Sequence, residues 1–300
     1  RYSLIACDAY ALDCILRLNI PMLGFQLNRK PMVFSFTLRE NPPFLSKGFI
    51  YTLHRYPEKI TEIEDMFSLL VKPPRCIYFL HMPKHHYFHV RLMPYIAHEI
   101  AHIAINYNPY SDLFFSKLTW IIGVTRIYSQ GVFEETLKES LGKRIYGTYN
   151  SYSNFLKKMK VNMDIVSKVY YLRELYCDVL ATLISGMSYP LTLISTGMVN
   201  KKAPEIILRN HHTLFSALRL YACFYTLEEL EYSSDDTFNS FRKYLGNITG
   251  LLEKKGILQE LIDILKNIIS ETKDIVPRNK SFDYDSWKYC IKEAEKIVKK

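Results

Sequence analysis

Apolar positions recur at a helical spacing over most of the chain beyond about residue 92. Residues three and four apart share one face of a helix, so this spacing predicts helices with one buried apolar stripe. The segments that carry it are 92–106, 111–128, 132–142, 152–186, 204–230, 236–269 and a last amphipathic stretch from Tyr284 to Val298. We therefore expect a predominantly α-helical protein.

The chain before about residue 91 has a different pattern. Ala9–Leu18 and Pro57–Val71 have helical spacing, whereas Met32–Leu38, Phe49–Leu53 and Cys76–His81 are short runs rich in aromatic and β-branched residues. Such runs are typical of strands. The expected fold class is α+β, with a small β-containing portion at the N-terminus and helices in the remainder.

One weak boundary divides the predicted helical part. The polar turn from Ser233 to Asp236 separates two stretches of helical spacing. We predict a domain over residues 1–232, with a mixed part at about 1–90 and a helical part at about 91–232. Residues 233–300 would then form a C-terminal helical extension.

The longest charge-free run is Val179–Asn200, 22 residues in all. A helix of that length can span a bilayer. However, the run contains Gly186, Ser188 and Pro190, and it begins directly after Asp178. We predict a buried helix end followed by a buried loop, not a transmembrane segment.

Lysine and arginine outnumber aspartate and glutamate by 39 to 30, a formal charge of +9. Such a surplus can serve a nucleic acid or an anionic membrane surface, which stays open as an alternative function. The basic residues are nevertheless spread along the chain, and the densest run, from Lys157 to Lys160, is short. We therefore predict no dedicated nucleic-acid site.

The six cysteines form no CxxC pair. In a chain of 300 residues this indicates reduced thiols. No signal peptide is recognisable in the sequence. We predict a cytoplasmic protein.

The stretch PYIAHEIAHIAINYN, Pro94–Asn108, places three ionisable groups in an otherwise uncharged run. Within it, His98, Glu99 and His102 form the pattern HExxH. Two histidines four apart lie on one helix face and can reach one tetrahedral zinc ion, while Glu99 lies beside the metal, where it can polarise a bound water. The alternative is a pair of core histidines bonded to carbonyl groups, with no metal.

A third ligand must come from another element. Glu174 and Asp178 lie one turn apart in the apolar segment VYYLRELYCDVLATL. One carboxylate can bind zinc, and the other can accept the outward N–H of a ligand histidine. The alternatives are a carboxylate pair on a solvated stripe, or an ion pair between Arg173 and Asp178.

HEIAH followed by ELYCD resembles the HExxH…ExxxD arrangement of gluzincin metallopeptidases, the group that includes thermolysin, neprilysin and the CAAX-processing proteases. The resemblance implies a zincin-like core and a zinc peptidase that acts on a protein or peptide. It implies His98, His102 and Glu174 as ligands of one Zn2+ per chain. Glu99 would be the general base, and Asp178 the partner of a ligand histidine, most simply His98.

A looser fragment, HHTLFSALRLYACF, is similar to an HPxxxxR-like segment of the CAAX-protease-like group. It departs from that pattern because no proline follows the histidine and the spacing is one residue longer. The similarity implies that His211 or His212 donates a hydrogen bond to the oxyanion and that Arg219 braces the site. Ordinary core or surface histidines are the alternative.

Two other groups compete as ligands. His81, His85, His86 and His89 crowd the segment before the HExxH motif and can line an entrance, bind a second metal or simply be solvated. Cys76 is similar to the cysteine ligand of peptide deformylases, but the glycine-rich motifs of those enzymes are missing. A non-catalytic zincin-like binding module is the other function class, and the sequence determines neither the substrate nor the oligomeric state.

Overall fold

The computed structural model describes most of the C-terminal two thirds of the chain and shorter parts of the N-terminal third. The described residues are 2–18, 32–39, 44–49, 76–83, 93–107, 145–195, 211–273, 275–276 and 280–298. They belong to two compact units, residues 1–102 and 103–300. The predicted helices at 57–71, 111–128 and 132–142 lie outside the described residues.

The first unit contains a helix and a small sheet. Helix α1 is Tyr2–Arg17, and the strands are β1, Met32–Arg39, β2, Phe44–Phe49, and β3, Cys76–Pro83. The strand order is β1–β3–β2, with β1 parallel and β2 antiparallel to β3. The alternation of β-branched and aromatic residues suits a pleated surface.

Two N-terminal elements differ in extent from the sequence prediction. Helix α1 begins at Tyr2, seven residues before the predicted start at Ala9. Strand β2 ends at Phe49, the first residue of the strand expected at Phe49–Leu53, and pairs Phe44 with His81. Residues 50–53 lie outside the part that the structure describes.

From residue 93 onward every described element is helical, with one short 3-10 turn, which confirms the prediction of a mostly helical chain. The elements are α2, Pro94–Tyr107; α3, 145–158; α4, Ile165–Ser185; α5, Ser188–Ser195; α6, His211–Glu229; the 3-10 turn Tyr232–Ser234; α7, Asp236–Lys254; α8, Leu258–Thr272; and α9, Tyr284–Val298.

The prediction of one continuous helix over 152–186 is wrong. Helix α3 ends at residue 158, and Lys160 adopts a left-handed conformation with φ 58°. Asp164 then begins α4 as its N-cap, because its carboxylate accepts the backbone N–H of Ser167 at 2.8 Å. A capping carboxylate satisfies one of the free N–H groups at a helix start and fixes the new helix there.

The prediction of one helix over 236–269 is wrong for a similar reason. Gly256 has φ 65° and separates α7 from α8. Glycine enters the left-handed region without the steric cost that a Cβ imposes, so it commonly ends helices. The last helix, α9, has the bounds that its amphipathic pattern predicts.

Helix α4 lies at the centre of the second unit and packs against α6 and α8. Every residue from Glu174 to Ser185 is buried, so α4 contributes apolar surface all round rather than on one stripe. The C-terminal segment also reaches this helix, since the N–H of Phe282 donates to the carbonyl of Leu183 at 2.7 Å. Helices on both sides of residue 232 thus belong to one unit. The domain boundary at residue 232 stays a prediction.

The charge-free run after Asp178 contains the end of α4 and the short helix α5. The helix end is buried as predicted, but residues 188–195 form a helix where a loop was expected. Within the part of the chain that the structure describes, no helix combines the length and apolar character needed to cross a bilayer.

Candidate metal centre

Helix α2 holds the HExxH motif in a buried position. His98 is 3% exposed and Glu99 is 9% exposed, while His102 is half-buried. The neighbouring Ile100 and Ala101 are fully buried and keep the segment helical and dry. The four-residue spacing places the two imidazole rings next to each other in an edge-to-face arrangement, with centroids 5.0 Å apart and planes at 88°.

A carboxylate from α4 joins the two histidines. One ligand atom from each of His98, His102 and Glu174 lies within 4.8 Å of the others. Glu174 is itself buried. The predicted ligand set is therefore brought together in space, although 71 residues separate His102 from Glu174 in the sequence.

This donor set fits a zinc ion. Zinc bound to two imidazole nitrogens and one carboxylate oxygen is a common catalytic combination, and it leaves a fourth position open. Metal–ligand bonds of about 2.0–2.2 Å at tetrahedral angles place donor atoms about 3.3–3.6 Å apart. A group held within 4.8 Å needs only small side-chain movements to reach that spacing.

Glu99 follows His98 directly, so the two side chains leave the helix axis about 100° apart. Glu99 therefore lies beside the His98–His102 face, not on it. Its burial keeps bulk water away from the carboxylate. Its role as a general base stays a prediction.

The second carboxylate of α4, Asp178, is part of a buried polar cluster with Arg219 of α6 and Tyr189 of α5. The Nε and Nη2 of Arg219 donate to the two carboxylate oxygens, each at 2.7 Å. The Tyr189 hydroxyl donates to Oδ1 of Asp178 at 2.5 Å and accepts from Arg219 at 3.1 Å. The three side chains join three helices at one point.

Burial and charge together set the protonation of this cluster. Burial alone lowers the pKa of Arg219, but the charge of Asp178 and its hydrogen bonds with Arg219 outweigh it and hold that pKa well above its ordinary value. Burial and the charge of Asp178 raise the pKa of Tyr189 well above 10. At neutral pH the guanidinium is therefore charged and the phenol protonated, so both can donate to Asp178.

Two alternatives for the α4 carboxylates are wrong. Glu174 and Asp178 are both buried, so they do not form a solvated stripe. The cation that contacts Asp178 is Arg219, whereas Arg173 lies beside Glu174, with Nη2 to Oε1 at 3.8 Å. The role of Asp178 as the partner of His98 stays a prediction.

The sequence did not identify two members of this region. Tyr189 reaches Asp178 because the chain turns at Gly186 between α4 and α5, and no local pattern marks that turn as part of a site. Arg173 precedes Glu174 in the sequence, where it was considered only as an alternative ion-pair partner of Asp178, and in the structure it lies beside Glu174. Its direct adjacency to the candidate ligand Glu174 was the available signal.

The structure does not describe the side chains of several other predicted site residues. Helix α6 begins at His211, but the side chains of His211 and His212 are not among those described, and neither are His85, His86 and His89. Arg219, which belongs to the looser fragment HHTLFSALRLYACF, reaches the region of Glu174 and Asp178.

No protein-family model, no curated protein and no solved structure matches this chain.

Proposed function

We propose that the protein is a zinc-dependent metallopeptidase of the gluzincin type, with a zincin-like core. The observation that carries the proposal is the grouping of His98, His102 and Glu174, whose ligand atoms lie within 4.8 Å of one another. The order of the motifs, HExxH and then ExxxD on a second helix, supports the peptidase class over other zinc hydrolases.

The three side chains would hold one Zn2+. When bound, zinc lowers the pKa of a coordinated water towards about 7 and polarises a carbonyl group. The apolar residues around the motif favour this chemistry because electrostatic interactions are stronger where water is excluded.

Glu99 is the residue proposed to move protons. Its carboxylate accepts a proton from the attacking water and returns it to the nitrogen of the leaving amine. A carboxylate at this position of an HExxH helix lies beside the ligands without occupying a ligand position. Burial of Glu99 supports this role, since a partly desolvated carboxylate is a stronger base than a solvated one.

The cluster around Asp178 supports the geometry of the ligands. Its two oxygens accept hydrogen bonds from both Nε and Nη2 of Arg219 and from the hydroxyl of Tyr189. These contacts fix α4 against α5 and α6, and Glu174 lies one turn before Asp178 on the same helix. Holding a metal ligand within a fraction of an ångström requires such support.

The first test concerns the metal. Elemental analysis of the purified full chain should find about one zinc per chain. His98→Ala and Glu174→Ala should each lose it, whereas Lys243→Ala, an exposed change on α7, should keep it. A wild-type protein that takes up no zinc from zinc-supplemented buffer would contradict the proposal.

The second test concerns catalysis. A library of internally quenched peptides should be cleaved by the zinc-loaded protein. Glu99→Gln should retain zinc and lose cleavage by a factor of about a hundred or more, since general-base catalysis contributes about that much. Glu253→Gln, the same change at an exposed position of α7, is the matched control. Cleavage by Glu99→Gln at the wild-type rate would show that the mechanism is wrong.

A further inference from the structure

Arg173 lies directly beside the proposed metal ligand Glu174 and has unused hydrogen-bonding capacity. Its Nη2 is 3.8 Å from Oε1 of Glu174, too far for a hydrogen bond. The Nε is buried and has no hydrogen-bond partner among the residues that the structure describes. Within the described residues, the guanidinium also lies over the ring of Tyr170, at 5.2 Å from its centroid.

This arrangement is costly without a further acceptor. A guanidinium has five N–H donors, and a buried donor that lacks a partner loses its interaction with water without compensation. In the neighbouring Arg219, by contrast, the Nε and Nη2 both donate hydrogen bonds to Asp178. Among the described residues, the Nε of Arg173 thus lacks the acceptor that the Nε of Arg219 has.

The side chain is also reachable from solvent. Arg173 is 23% exposed at its side chain, and Tyr170, on which it lies, is 47% exposed. The cation–π contact restrains the guanidinium at the edge of the site without using its in-plane donors. Because the Nε is buried, an incoming ligand can meet the N–H groups at the outer end of the restrained guanidinium.

We propose that Arg173 binds a carboxylate of the substrate next to the reacting peptide bond, which makes acidic or C-terminal peptides the preferred substrate class. The inference rests on the proposed function. A guanidinium matches a carboxylate with two parallel hydrogen bonds, which is the arrangement that its free donors permit. Because Arg173 adjoins a ligand, a carboxylate held by it lies near the metal.

The carboxylate can come from the C-terminus of a peptide or from an aspartate or glutamate side chain. Two matched pairs of short peptide hydroxamates separate these sources, because the hydroxamate anchors each compound on zinc. In the first pair, one compound ends in a carboxylate and the other in a carboxamide. The second pair is amidated at its end and differs in an aspartate against an asparagine.

The experiment measures the affinity of each compound for the zinc-loaded full chain by calorimetry, with zinc content determined in the same samples. In at least one pair, the carboxylate should bind about tenfold more tightly than the amide. Arg173→Met should abolish that preference and leave binding of the amide within about twofold. Lys243→Met, an exposed change of equal charge on α7, should keep the preference.

If Arg173→Met does not fold, Arg173→Lys replaces it in the binding experiment. Lysine keeps the charge but lacks the planar pair of donors, so the preference should fall by about threefold or more. The inference would be overturned if the wild-type chain bound the carboxylate and amide compounds of both pairs equally well. It would also be overturned if the preference for the carboxylate survived Arg173→Met. Either result would leave the proposed zinc site intact. Absence of zinc from the wild-type chain would instead contradict the proposed function.

Discussion

The carboxylate of Asp178 and the guanidinium of Arg219 form two hydrogen bonds of 2.7 Å each, in a position where Asp178 is 0% exposed. The pair joins α4 to α6 across 41 residues of sequence. Breaking a buried pair leaves an uncompensated charge in the interior, which costs far more than loss of a surface pair. The contact therefore both stabilises the folded protein and holds α4 in position against α6.

Arg219→Met should lower the free energy of unfolding by about 3–5 kcal/mol, because it leaves the Asp178 carboxylate buried without its cation. Urea unfolding followed by circular dichroism measures this change. The double variant Asp178→Leu/Arg219→Met should recover much of the loss, since it removes both charges together.

The matched control is a surface pair. Lys273 and Glu229 are 2.9 Å apart, with side chains 55% and 44% exposed. Lys273→Met should change the free energy of unfolding by about 1 kcal/mol or less. Equal losses in Arg219→Met and Lys273→Met would show that the buried pair contributes no more than a surface one.

The candidate ligand set could be predicted from the sequence because each of its parts is local. A spacing of four residues places His98 above His102 on any α-helix, and the same spacing relates Glu174 to Asp178. The apolar context of both segments also indicated burial, which the structure confirms. Each half of the motif could be recognised from residues that lie within about one helical turn of each other.

The partners of those residues depend on long-range packing, which local patterns do not encode. Arg173 lies five residues from Asp178 in the sequence and Arg219 lies 41 residues away, but the packing of α6 on α4 brings Arg219 to Asp178. The helix breaks were missed for a related reason. Lys160 and Gly256 adopt φ near 60°, and a lysine in that conformation has no signature in an apolar pattern.

A second buried cluster should show energetic coupling across the centre of the second unit. Glu271 of α8 accepts hydrogen bonds from Tyr176 of α4 and from Thr148 of α3, the latter at 2.9 Å. All three residues are buried. A double-mutant cycle with Tyr176→Phe and Glu271→Gln should give a coupling of about 1–3 kcal/mol.

The control for this cycle is Lys158 and Glu260, a pair at 2.7 Å in which the lysine is 60% exposed. A cycle on that pair should give a coupling of about 1 kcal/mol or less. Coupling near zero between Tyr176 and Glu271 would mean that the hydroxyl and the carboxylate act independently.

Stability should fall at alkaline pH because buried tyrosines resist ionisation. Burial raises the pKa of Tyr221 to about 12, from 10.0. The folded state thus keeps a proton that the unfolded state loses above about pH 10, so the stabilisation is complete below pH 10 and decreases as the pH rises towards 12. For this one group the slope is at most about 1.4 kcal/mol per pH unit.

Tyr221→Phe should reduce that slope between pH 10 and 12, measured by urea unfolding at several pH values. Tyr289→Phe is the control, because Tyr289 lies on α9 and is 66% exposed. A slope in Tyr221→Phe as steep as that of the wild type would contradict the assignment of this proton to Tyr221.

Zinc should stabilise the folded chain by mass action. Free zinc at one hundred times its dissociation constant adds about 2.7 kcal/mol to the free energy of unfolding. Thermal unfolding with zinc and with a chelator measures the difference, and Glu174→Gln should reduce it by weakening the ligand set. A wild-type chain whose unfolding is the same in both conditions does not bind zinc in its folded state.

The turn at Gly186 should tolerate no side chain. Gly186 has φ 57°, and a Cβ there would overlap the Tyr232 hydroxyl and approach Cδ1 of Phe282 to 2.7 Å. Gly186→Ala should therefore cost about 2–5 kcal/mol, the sum of a left-handed conformation and overpacking. Because this turn directs Tyr189 back to Asp178, the variant should also weaken zinc binding. Gly147→Ala is the control, since Gly147 lies in α3 and, apart from its own chain neighbours and helix backbone, no atom of the described residues lies within 4 Å of a Cβ there; the change should stabilise the chain by about 0.5–1 kcal/mol. A Gly186→Ala protein as stable as the wild type would show that the turn is free to rearrange.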